Sequence, residues 1–81
     1  MEYPISLDTA LQIVGSLKVR AIKEKNATNN PTEIEKLEFQ IRTFLEEERM
    51  LYGADVYKKS SVMDKVVNYY SPLIKRLNGF A

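Results

Sequence analysis

Three consecutive carboxylates, Glu46, Glu47 and Glu48, are the densest set of chemically competent side chains in the sequence. Paired carboxylates can share a proton, ligate a hard cation or flank a scissile bond. On a helix, however, consecutive residues point about 100° apart, so these three cannot converge on one metal or one substrate. The chain has no histidine and no cysteine. It therefore lacks the commonest side-chain base, the commonest thiol nucleophile and the usual zinc ligands. A di-metal carboxylate site built on facing helices would need Glu-x-x-His spacing. No Gly-rich phosphate loop, dinucleotide fingerprint or calcium-binding loop is present, because the three glycines are far apart. The expectation is a protein without enzymatic activity, resident metal or cofactor.

Glu48 differs from its neighbours. It falls on the apolar seam Ile34, Leu37, Ile41, Phe44, Glu48, Leu51, whose steps alternate between three and four residues. Two readings stand for it. The seam reaches the edge of the domain there and Glu48 meets solvent, or Glu48 is a polar specifier of register or oligomer state paired with Lys18, Lys25 or Lys65.

The elements that position these groups follow from the apolar periodicity. Leu7, Ala10, Leu11, Val14, Leu17 and Ala21 share one face, with Ile13 and Ile22 at its edges. They predict a helix over about 7–25, with Ser6 as N-cap, Asp8 in its first turn, Gly15 as its weak point and Asn26 as its stop. Asn30, Pro31 and Glu33 spell a capping box that opens a second helix over about 31–52, closed by Gly53 as a left-handed cap. Along its flank, Glu38, Arg42 and Glu46 form an i,i+4 ladder. The stretch "GADVYKKSS" reads as a loop. Ser61 with Asp64 resembles the start of a third helix over about 61–78, ending at Asn78-Gly79. Its face holds Val62, Val66, Tyr69, Tyr70, Leu73 and Leu77, interrupted by Pro72. Proline inside a helix removes one hydrogen bond and crowds the carbonyl four residues earlier, so the helix kinks or restarts near 71–72. The sequence favours a restart, with Ser71 as N-cap and Lys75 and Arg76 solvated. The fold class is all-α: one domain over residues 1–81, a long antiparallel hairpin plus a third segment broken at Pro72.

At 81 residues such a domain buries only roughly 60–65% of the surface of its unfolded chain. Without disulfide or zinc, oligomerisation is the remaining means of adding stability, which points to a homodimer. The formal charge of +1 argues against a strongly basic nucleic-acid binder or a polybasic membrane anchor. The first residues lack the basic start of a secretory signal, and the absence of cysteine fits a cytoplasmic setting. No small-molecule substrate and no membrane is implied.

Phe39 and Met50 have no place in the seam of the second helix. Eleven residues apart, they fall within about 20° of each other on its far side, with Thr43 and Glu46 between them. Val19 likewise lies off the stripe of the first helix. Val19, Phe39, Thr43, Glu46 and Met50 are therefore the candidate partner-binding residues, on a surface that belongs either to the core of the domain or to a subunit contact. The function expected is a small protein-interaction module, self-associating or adaptor-like and regulatory, acting through apolar helix faces. The alternative is a nucleic-acid-associated regulator using Lys18, Arg20, Lys23 and Lys25 on the first helix with Lys58 and Lys59 before the third. Cations near a helix C-terminus are also favoured by its dipole, which explains part of that pattern. Charge is segmented. Residues 1–30 carry four basic and three acidic groups, 31–52 three and six, and 53–81 five and two, so an acidic middle helix lies between more basic neighbours.

Overall fold

The order of elements is α1 (Leu7–Ala27), α2 (Pro31–Tyr52), α3 (Val56–Lys65), a π turn (Val66–Tyr70) and α4 (Ser71–Leu77). These come from a computed structural model that describes residues 5–77. The chain is all-α, and no strand occurs among the described residues. α1 and α2 form the antiparallel hairpin expected. α3 returns along α2, and the π turn and α4 then cross over α1, so the last rod covers the face that the hairpin shares.

Each helix start has a local cause. The Ser6 hydroxyl accepts from the Thr9 amide at 3.1 Å. Asn30 is extended, and its Oδ1 accepts from the Thr32 and Glu33 amides at 3.0 and 3.4 Å. The reciprocal half of that box is not made by Glu33. The Asn30 amide donates to the Thr28 hydroxyl at 3.2 Å instead. Gly53 closes α2 without a left-handed turn, at φ −74° and ψ 172°. Its amide donates to the carbonyls of Arg49 and Met50. A Cβ at this position would lie 3.3 Å from the Arg49 carbonyl oxygen, so glycine serves close approach here rather than a positive φ.

The third helix starts earlier than the expected Ser61. Asp55 is its N-cap, with Oδ1 accepting from the amides of Tyr57 and Lys58 at 3.0 and 3.1 Å. Most of "GADVYKKSS" is therefore helix. The first turns escaped the periodicity because Val56 and Tyr57 are exposed and the first buried side chain is Val62. Asp55→Ala is expected to cost about 1 kcal/mol, as loss of an N-cap usually does. Urea denaturation measures it, and an unchanged midpoint would show that the packing of Val62 and Met63 holds this end without the cap.

Pro72 neither restarts the helix nor ends it. Ser71 is right-handed helical at φ −63° and ψ −48°, not the extended N-cap a restart needs. Its amide donates to the Val66 carbonyl five residues back, which makes the preceding turn a π turn. The wider turn relieves the crowding that Pro72 would impose on the carbonyl of Asn68. It also suits the buried positions. Val62, Val66 and Tyr70 are spaced by four, which drifts about 40° per step on a regular helix, and the π turn takes up that drift. The expected stop at Asn78-Gly79 lies outside the described residues.

The core draws on every layer: Ala10, Val14 and Leu17 from α1, Leu51 from α2, Val62 and Met63 from α3, and Val66 and Tyr70 from the π turn. Its extents of 44 × 30 × 16 Å make the protein a flat slab. No described helix is long and apolar enough to cross a membrane.

Gly15 sits mid-helix facing α2, where a Cβ would meet only Glu48 Oε2, at 3.6 Å. That is ordinary van der Waals contact. Gly15→Ala is therefore expected to stabilise by about 0.5–1 kcal/mol through helix propensity alone. A rise of a few degrees in Tm checks it, and a fall would mean that the Lys18–Glu48 pair needs the space.

Candidate interaction surface

The three consecutive glutamates end on three different partners. Glu46 is exposed and lies 3.6 Å from Arg49 on its own helix. Glu48 receives the Lys18 ammonium at 2.8 Å, with only 20% of its side chain exposed. It does not escape to solvent at a domain edge, as one sequence reading had it. Of the three candidate lysines, Lys18 is the one engaged, so the pair bridges α1 and α2.

Glu47, which the periodicity did not single out, is the buried acid, at 6% exposure. Tyr70 donates its hydroxyl to Glu47 Oε1 at 2.6 Å, and the Lys65 ammonium reaches Oε2 at 2.9 Å. Lys65 also lies 5.2 Å from the centroid of the Tyr70 ring, and Phe44 meets that ring edge-on at 5.6 Å. Burial and then the bond to Glu47 push the Tyr70 hydroxyl up to about 12. The Glu47 carboxylate holds the Lys65 pKa above its ordinary value, against the opposing effect of burial. Every partner in this cluster is internal, so it locks the last rod onto α2. Among the described residues, no group of His, Cys, Asp or Glu is arranged to hold a metal ion, and no buried side-chain nitrogen or oxygen lacks a hydrogen-bond partner.

The partner-binding candidates separate into two places. Phe39, Thr43, Glu46 and Met50 line one groove of about 390 Å³ between α2 and α3, whose far wall is Ser61, Val62 and Lys65. Met50 is half-buried against the core, whereas Phe39 is 65% exposed. The line thus passes from core at its Met50 end to open surface at its Phe39 end. Phe39 also borders two further grooves. One is floored by Leu17, Ala21, Phe44 and Tyr70 under α4, and the other runs along the outer face of α2 past Thr32 and Lys36. Val19 is not part of this surface. It lies 46% exposed on α1, in a groove with Gly15, Ser16 and Lys18. Thr32 and Lys36 were missed in the sequence, although they continue the Phe39 line by steps of three and four.

The cations of the nucleic-acid alternative fall into two groups, one on α1 and one on α3. Lys18 is held by Glu48, and Lys25 lies 3.6 Å from Glu38. Glu38 thus reaches across the hairpin rather than along the expected i,i+4 ladder. Lys23 and Lys25 lie beside the α1–α2 connection, and Lys58 and Lys59 beside the α2–α3 connection. The whole of α2, roughly 33 Å of helix, separates those two connections. Arg20 lines the groove under α4 and also shares a groove along α1 with Lys23, so it belongs with the α1 group and not with Lys58 and Lys59. Comparison with known proteins gives no matching family model, no similar curated protein and no similar solved structure.

Proposed function

We propose that this chain is a non-enzymatic protein-interaction module that acts through the Phe39 face of α2. The observation that carries the proposal is the placement of Phe39: a 65%-exposed ring at the junction of three grooves. A single exposed apolar residue is ordinary on a protein surface. A ring beside one groove with an apolar floor and two with mostly polar and charged walls has the shape of an anchor with a polar rim. The separation of the basic groups speaks against a nucleic-acid surface, and a cytoplasmic setting belongs to the same proposal.

The test is site-specific photo-crosslinking in the cell that makes the protein, with a benzophenone amino acid at position 39 and, as control, at Ser16 on α1. Crosslinks to polypeptide are expected from position 39 and not from position 16. Equal yields from both, or none from position 39, would overturn the proposal.

A further inference from the structure

We infer that the partner of this face is a second copy of the same chain, with α2 packed antiparallel on α2 about a two-fold axis midway between Phe39 and Thr43. The inference rests on the interaction role proposed above and names its occupant.

The line of α2 through Phe39 reads Thr32, Lys36, Phe39, Thr43, Glu46, Met50, in steps of four, three, four, three and four, open at its Thr32 end and half-buried at Met50. That series is the same in both directions. An antiparallel copy therefore matches it position for position, and the pairs that result are complementary. Lys36 of each copy falls on Glu46 of the other, and Phe39 of each falls on Thr43 of the other. Thr32 closes over Met50. The two-fold turns one Lys–Glu match into two, flanking two central phenylalanines, and it sets no like charges opposite one another on this line.

The sockets are already formed. The groove that would receive Phe39 of the other copy is the one lined by Thr43, Glu46, Met50, Val62 and Lys65. Glu46 makes a long, exposed contact with Arg49, which is readily exchanged for Lys36.

Analytical ultracentrifugation from low to high micromolar concentration tests the inference, with circular dichroism confirming that each variant folds. The wild type is expected to form a dimer. Lys36→Glu and Glu46→Lys are each expected to weaken it by about tenfold or more, and the double exchange to restore it. A wild type that stays monomeric throughout overturns the second copy as partner. So does a dimer that ignores both single exchanges, because its contact then lies elsewhere. A dimer weakened by both but not restored by the double exchange overturns the register. The interaction role stands apart from these outcomes. A monomer whose position 39 crosslinks to another polypeptide retains that role, and absence of any crosslink removes it.

Discussion

Glu47→Ala is expected to destabilise the fold by about 2–3 kcal/mol, within the range for breaking charged, buried hydrogen bonds. The loss arises from what stays behind. Tyr70 keeps a buried hydroxyl without its 2.6 Å acceptor, and Lys65 keeps an ammonium without its 2.9 Å carboxylate. The figure lies below that for a fully buried pair because the Lys65 side chain is 43% exposed and can turn to water. For a domain of this size the shift is about 10–20 °C in Tm. Glu47→Gln keeps an acceptor for Tyr70 and should lose less. If alanine proves neutral, the cluster contributes nothing that apolar packing does not replace.

The same cluster gives stability a dependence on alkaline pH. Tyr70 and Lys65 both have pKa values raised in the fold, Tyr70 to about 12 from the ordinary 10. A raised pKa means that the folded state holds its proton more tightly than the unfolded chain does. This contribution is complete below the unfolded values near 10 and is lost as pH rises from there through about 12. The urea midpoint should accordingly be level through neutral pH and fall above pH 10. Tyr70→Phe should flatten part of that fall. A wild-type midpoint unchanged up to pH 12 would contradict the assignment.

Leu51→Ala is expected to cost about 3 kcal/mol, in the middle of the range for a large aliphatic side chain removed from a core. Leu51 is fully buried, and its cluster includes Val14 from α1 and Val66 from the π turn, so one cavity would loosen all three layers. Few other side chains can compensate. The fully buried large residues are Leu51, Val14 and Val66 among the described residues. Total stabilities of small domains run to about 5–15 kcal/mol, so this loss is a large share. Both Glu47→Ala and Leu51→Ala should be compared with wild type at one protein concentration, because self-association links stability to concentration. A loss below about 1 kcal/mol would mean that the slab collapses around the missing side chain.

Where local chemistry decided the outcome, the sequence was sufficient. Ser6 and Asn30 cap their helices with their own side chains, and that needs no distant partner. The alternation of Ala10, Val14, Leu17 and Ala21 named the buried face of α1 correctly, because helical periodicity and burial share one geometry. The start of α3 was misplaced because its first turns bury nothing. Asp55 was available as a cap, but exposed Val56 and Tyr57 carried no stripe for it to introduce.

The composition and the spacing of apolar residues thus determined, on their own, an all-α hairpin with a third rod, and placed Phe39 off its seam. Tertiary structure alone decided the rest. Pro72 could break the helix or be absorbed, and the need to bury both Val66 and Tyr70 settled it as a π turn. Glu48 was the conspicuous acid in the sequence, whereas Glu47 became the buried one, because the direction of α3 across α2 brought Lys65 and Tyr70 to it. Periodicity reports which side of a helix is covered. Which neighbour covers it, and with what polar partner, depends on the crossing of elements distant in sequence, which no local pattern encodes.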